Sequence, residues 1–393
     1  MKPIVPMSSP DLTDAEVQAV LDVIRTPNLS MGPQIDQFEA AFRQMLGCHH
    51  AIGVNSGTAG LHLCIRAADI GLGDLVLTTP FSFVASTNVI LYESATPVFV
   101  DVDPLTGNMD LEQTRQAVHD LLAGSESARR WLPRLGAPRY GVLKAVLGVD
   151  VFGQPMDWDV LRTVTRHTGL ALIEDSCEAL GATYKGRQAG LLGDYGVFGF
   201  YPNKQITTGE GGMIVTNRDE EATLMRALRN QGRAPGDTWL SHTHLGYNYR
   251  LDELSAALGA AQMQRLEELI NRRERVAALY RERLAGVDGL ELPYIAETTT
   301  RVSWFVFVVR VAKGVNREAL ADRLAQRGIP VRPYFLPIHL QPYMQERFGY
   351  EPQRYPVTED LGARGLALPF SGLMTAEQVE IVSAALQEEL SRS

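Results

Sequence analysis

The stretch that most constrains the fold of this 393-residue chain is residues 197–216, Val-Phe-Gly-Phe-Tyr-Pro-Asn-Lys-Gln-Ile-Thr-Thr-Gly-Glu-Gly-Gly-Met-Ile-Val-Thr. Two apolar runs of β type, 197–201 and 213–216, flank a polar turn rich in Thr and Gly that holds one lysine. Lys204 is therefore expected in a loop just past a strand end. In an α/β enzyme that is where reactive groups stand, because the sheet holds the backbone rigid while the loop leaves the side chain reachable. An amine buried there sheds its proton readily, and a neutral amine forms a Schiff base with an aldehyde. A loop lysine taken at random is merely solvated, so its neighbours must decide.

Elsewhere, apolar runs of strand length alternate with helical patterns. Residues 75–79, 96–102, 144–151 and 170–175 read as strands, and 9–21, 35–46, 157–167 and 220–231 as helices. This pattern predicts an α/β fold, a mostly parallel central sheet flanked by helices. In 170–175, Leu-Ala-Leu-Ile-Glu-Asp, the acids stand only at the carboxyl end. Ligands of open α/β sheets bind beyond the carboxyl ends of strands, so topology aims Asp175 at a site, although a cap for the following helix explains it equally well. Residues 51–63 form a strand, a turn of Ser-Gly-Thr-Ala and a helix start, where small residues and free N–H groups favour an anion. Any βα unit can turn on those residues. Phe83, just past strand 75–79, is either core packing or a flat apolar partner for a ring. Asp101 and Asp103 read as loop caps.

A long helix, 252–284, carries Leu254, Leu258, Met263, Leu266 and Leu269 and leads into a strand at 304–311 and helices at 317–327 and 375–390. The expected plan is a large domain over 1–255, with an N-terminal helical segment, followed by a linker helix and small C-terminal α+β domain over 256–393. Residues 122–140, rich in Ser, Gly, Pro and Arg, read as a surface insertion without chemistry. The formal net charge of −9, from 37 basic and 46 acidic residues, argues against a nucleic-acid partner that reads a basic face. Cys48, Cys64 and Cys177 are too few and too scattered for a disulfide framework or a zinc site, so no metal is expected. With no signal-like run and no stretch of membrane-spanning length, the chain is expected in a reducing cytoplasm, away from membranes.

Three phrases carry a resemblance: Phe-Tyr-Pro-Asn-Lys-Gln-Ile-Thr-Thr-Gly-Glu-Gly-Gly around Lys204, Glu-Asp-Ser-Cys-Glu-Ala-Leu-Gly-Ala from Glu174, and Gly-Tyr-Asn-Tyr-Arg-Leu-Asp-Glu-Leu from Gly246. Following one another along the chain from Glu174 through Lys204 to Gly246, they resemble the DegT/DnrJ/EryC1/StrS family, pyridoxal-phosphate-dependent sugar aminotransferases of the aspartate-aminotransferase (type I) fold. The resemblance covers essentially the whole chain. It implies that Lys204 holds pyridoxal 5′-phosphate, that Asp175 keeps the ring nitrogen protonated, and that Thr58 and Ala59, beside Gly57, bind the phosphate. It places Phe83 against the ring and residues 29–32 at the mouth of the site. It also implies a homodimer with shared active sites, Asn248 reaching the partner's phosphate. Residues 334–339 would shape a sugar pocket, and a core role for their aromatics is equally open.

The chemistry so implied is transfer of an amino group from glutamate to a keto group of a nucleotide-linked deoxysugar, for a polysaccharide, glycan or natural product. A cyclitol ketone as acceptor, and a non-enzymatic cofactor-binding regulator, are the alternatives. A related branch has His in place of the lysine, which Lys204 argues against. Two positions depart from the family pattern. Gly199 stands where many members have a phosphate-binding Ser, and Glu178 where Gln or His is usual near the cofactor's phenolic oxygen. Glu178 is then either protonated or turned toward a cation.

Overall fold

A computed structural model of the chain describes residues 3–124, 126–136, 141–234, 236–238 and 240–392. Two helices, α1 (Asp14–Ile24) and α2 (Pro33–Leu46), precede a seven-stranded sheet of β1 (His50–Val54), β2 (Asp74–Thr78), β3 (Thr96–Phe99), β4 (Val142–Val149), β5 (Ala171–Asp175), β6 (Tyr195–Gly199) and β7 (Gly212–Thr216). The order across the sheet is β1-β7-β6-β5-β4-β2-β3. All neighbours from β3 to β6 are parallel, while β7 is antiparallel to both β6 and β1. Val149 pairs with Asp175, and Asp175 with Val197, so β4 and β5 end level at the carboxyl edge.

Crossover helices cover both faces, as parallel pairing requires. They are α3 (Gly57–Ala67), α4 (Ala85–Tyr92), α5 (Leu111–Ala123), α6 (Trp158–Thr165) and α7 (Asp219–Arg229). The period-two alternation of the strands sorts the core. Ile173, Val197 and Ile214 pack with residues of α3 and α7, whereas Phe198, Met213 and Val215 pack with Phe38 and Phe42 of α2.

After α8 (Glu253–Gln264) and α9 (Leu266–Leu284) comes a four-stranded antiparallel sheet. Its strands are β8 (Leu290–Glu291), β9 (Phe307–Val311), β10 (Arg332–Pro333) and β11 (Gly365–Leu368), in the order β8-β9-β11-β10. With α10 (Arg317–Gln326), α11 (Pro342–Phe348), α12 (Pro356–Arg364) and α13 (Ala376–Leu390) it forms the C-terminal part. Its own core joins Tyr280, Phe307, Leu320 and Leu386 with Val5 from the chain start.

Three of the element boundaries that differ from the sequence expectation have a specific local cause. The first helix starts at Asp14, not at residue 9, because Thr13 and Glu16 close a capping box there. The helix expected over 252–284 breaks at Arg265 (φ −109°, ψ 7°), whose guanidinium is tied to Asp11 at 3.0 Å and Glu16 at 2.8 Å. Strand β9 begins at Phe307 rather than 304, since Trp304 sits at φ 50°, outside extended geometry. Asp101 does act as a cap, but for a distant helix: it accepts from the amides of Val357 and Thr358 at the start of α12, at 2.9 and 2.8 Å. Asp103 caps its own loop through Leu105 and Thr106. In the insertion, 126–130 form a short 3-10 helix and Trp131 donates to Asp120 at 2.9 Å, while residues 125 and 137–140 lie outside the described residues.

Candidate active site

The lysine loop joins β6 to β7 and is held closed by its own threonines. Thr207 Oγ1 donates to the Phe200 carbonyl at 3.0 Å and Thr208 Oγ1 to the Glu210 carbonyl at 2.6 Å. From α9, the buried Arg273 guanidinium donates to the carbonyls of Asn203, at 3.1 Å, and Lys204. These bonds fix the backbone from which the Lys204 side chain, 14% exposed, extends. Its Nζ lies 3.7 Å from Glu178 Oε1 and 3.7 Å from the centre of the Phe305 ring.

Asp175 ends β5 at the carboxyl edge and is buried. Ser86 Oγ donates to its Oδ2 at 2.6 Å and the Cys177 amide to its Oδ1 at 3.2 Å. Of the two sequence readings, the helix cap is excluded because no helix follows β5 directly. Ser86 Oγ also lies 3.3 Å from the Phe83 carbonyl, which brings the Phe83 backbone close to the carboxylate. The Phe83 ring is 64% exposed in the single chain, so it is not core packing.

The start of α3 meets the same place. A Cβ on Gly57 would lie 2.8 Å from Cys177 Sγ and 3.3 Å from Gly199 Cα, so α3, the exit of β5 and the end of β6 touch. A Cβ on Gly212 would lie 2.7 Å from the Ser56 backbone. Ser56 Oγ caps the helix by accepting from Ala59 N at 3.0 Å, which leaves the amides of Gly57 and Thr58 without an intrahelical acceptor. An anion arriving here meets backbone and the positive end of the α3 dipole. The site thus offers a backbone cradle for a phosphate, an anchored carboxylate and a lysine, and these fit pyridoxal phosphate.

Glu178 is turned toward a cation: besides facing Lys204, its Oε2 accepts from the Phe152 amide at 2.8 Å. Burial pushes its carboxyl above the usual range, with Lys204 opposing. Asn248 is exposed, and its carbonyl accepts from Asn55 Nδ2 at 3.3 Å, close to the α3 start. Tyr247 and Tyr249, stacked 4.9 Å apart, anchor it on either side. Ser86, Phe305 and Arg273 received no role from the sequence. Ser86 stands three residues past Phe83, but the other two come from a distant part of the chain and carried no signal.

The strand order, with its single antiparallel strand, and the lysine and aspartate at one edge define a pyridoxal-phosphate-dependent transferase of type I fold. The profile of the DegT/DnrJ/EryC1/StrS aminotransferase family matches residues 10–387. Among curated relatives, GDP-perosamine synthase of Caulobacter vibrioides is 37% identical, covering 99% of both chains, and the spore coat polysaccharide biosynthesis protein SpsC of Bacillus subtilis is 33% identical, covering 98% of this chain and 96% of that one. Among solved structures, S. venezuelae DesV superposes with a TM-score of 0.87 at 32% identity, covering all of both chains. The chain belongs to the DegT/DnrJ/EryC1/StrS aminotransferase family. It is a pyridoxal-phosphate-dependent aminotransferase.

Proposed function

We propose that this protein transfers an amino group from glutamate to a keto group of a nucleotide-linked deoxysugar. The observation that carries this is the meeting of Lys204, Asp175 and the α3 start at one edge of the sheet. Pyridoxal phosphate, when bound, supplies an aldehyde for the lysine and a ring that takes up the electrons left when the donor's α-carbon loses its proton. Lys204 would hold it covalently and, once released, move that proton. Asp175, kept in place by Ser86, would hold the ring nitrogen protonated. Gly57, Thr58 and Ala59 with Gly199 would bind the phosphate, Phe83 would cover the ring face, and Glu178 would lie near the phenolic oxygen. The relatives named above support a sugar acceptor, with a guanosine diphosphate carrier as the first to try.

We also propose a homodimer in which Asn248 serves the partner's phosphate, supported by its exposed, rigidly anchored position. The division at 255/256 assigns the seven-stranded sheet to the larger unit and the antiparallel sheet to the smaller. The three free cysteines suit a reducing cytoplasm, and among the described residues no helix is long and apolar enough to cross a membrane. The test is incubation with glutamate and a panel of nucleotide keto sugars and cyclitol ketones, read by mass spectrometry. Formation of a nucleotide amino sugar is expected. Amination of a cyclitol alone would replace the acceptor, and bound cofactor without turnover on any ketone would leave a non-catalytic binding protein.

A further inference from the structure

The departure at Glu178 puts a second carboxylate in the site, and its surroundings restrict what it does. Among the described residues it is the one carboxylate within 4 Å of Lys204 Nζ, at 3.7 Å, and its side chain is 9% exposed. The Phe152 amide holds its other oxygen, and the Phe305 ring closes one side of the amine. The other titratable or charged groups around the pair are Asp175 at the end of β5, Cys177 from the turn after it, Tyr334 from the segment after β10, and Arg273 from α9. Asp175 is occupied by Ser86 and the Cys177 amide. Burial pushes the Cys177 thiol well up and the Tyr334 hydroxyl to about 12, so both stay protonated at neutral pH. Burial lowers Arg273 only to about 10, which leaves it charged, and its guanidinium is spent on backbone carbonyls. Among the described residues this leaves Glu178, whose Oε1 faces the amine, to exchange a proton with the lysine.

We infer that Glu178 is the proton acceptor that makes Lys204 nucleophilic and the acid that completes its linkage to an aldehyde. This rests on the reading of Lys204 as the cofactor lysine. An ammonium and a carboxylate taken out of water are costly as ions, so passing one proton from Nζ to Glu178 relieves both desolvations. The freed lone pair then attacks the aldehyde carbon. The carbonyl oxygen leaves as water carrying two protons, one from the nitrogen and one returned by Glu178, so the new carbon–nitrogen double bond keeps one N–H and the positive charge. Glu178 ends as it began, a carboxylate. Gln in its place holds the same shape and exchanges no proton.

The experiment follows capture of pyridoxal phosphate by cofactor-free protein, using stopped-flow absorbance at a series of pH values around neutral. Glu178→Gln is expected to slow capture by about 100-fold and to remove the rise in rate with pH that ionisation of Glu178 contributes, while melting of the cofactor-free protein shows an intact fold. Glu178→Asp, one methylene shorter, is expected to be slowed but to keep the pH dependence; it carries the test should the Gln variant not fold. Capture by either folded variant at the wild-type rate and with the wild-type pH profile overturns the inference. Borohydride reduction and peptide mapping separate the two readings. A label on Lys204 with unchanged rates overturns the role of Glu178 alone, whereas a label on another lysine of the wild type overturns both.

Discussion

The proposed function gives Lys204 and Asp175 different work, and single substitutions separate them. Lys204→Ala is expected to abolish the visible absorbance of the linked cofactor without unfolding the chain. Borohydride labelling checks it: a pyridoxyl group on Lys185 or Lys144 would show the wrong lysine had been chosen. Asp175→Asn is expected to leave cofactor bound, since the phosphate dominates affinity, yet to lower turnover by about 100-fold or more, because a neutral amide does not hold the ring nitrogen protonated. Near wild-type transamination by that variant would sink the assignment. Ser86→Ala removes the 2.6 Å bond that holds Asp175 in place. A hydrogen bond to a charged group is worth about 1.5–3 kcal/mol, so a drop in kcat of roughly 10-fold is expected, with the cofactor still bound. An unchanged kcat would mean that Asp175 is held well enough by the Cys177 amide.

At the scale of elements, α1 and the α8–α9 junction are clamped by one carboxylate. Glu16 accepts from Thr13 at 2.7 Å, Gln262 at 2.7 Å and Arg265 at 2.8 Å. Burial works against its charge, but Thr13, Arg265 and Gln262 outweigh it and bring the carboxyl down from 4.5 to about 2. A depressed folded value means stability that is present above 4.5 and lost as pH falls from there toward 2. Glu16→Gln is therefore expected to lower the melting temperature of the cofactor-free protein by several degrees at neutral pH. Thermal scans at decreasing pH should show the gap to wild type closing within that window. A gap independent of pH would assign the effect to packing instead. The same junction explains why a continuous apolar stripe did not give a continuous helix. Periodicity records which face is buried, not whether a side chain on the helix is anchored elsewhere.

For the whole molecule, the proposed sharing of each site across a two-fold dimer makes a quantitative prediction. Asn248→Asp places a carboxylate against the phosphate and is expected to inactivate the enzyme by weakening cofactor binding. When equal amounts of Lys204→Ala and Asn248→Asp chains exchange at random, about half the dimers are mixed, and each owns one site with both native residues. Activity should then return to about a quarter of wild type. Heterodimers that form, shown by native mass spectrometry, yet stay inactive would mean that Asn248 serves its own chain, beside the Asn55 it already contacts.

Local sequence determined the sheet class, the lysine loop and the Asp175 strand end, because strand runs, turn residues and the carboxyl edge of a βα unit are written in neighbouring residues. Gly57 and Gly199 were singled out by the family resemblance, and their mutual contact beside Cys177 followed once the strands paired. What surrounds the reacting atoms was decided only by tertiary structure. Arg273 reaches the Lys204 carbonyl from 69 residues away and Ser86 reaches Asp175 from 89, while Phe305 closes on the amine from the C-terminal part. Glu178 acquired its neighbour in the same way. Its local phrase left it protonated or paired, and only packing of the β5 exit against the lysine loop brought a cation to 3.7 Å. Such contacts form between segments whose separation in sequence leaves no periodic trace, since their geometry is set by how whole layers pack rather than by propensity.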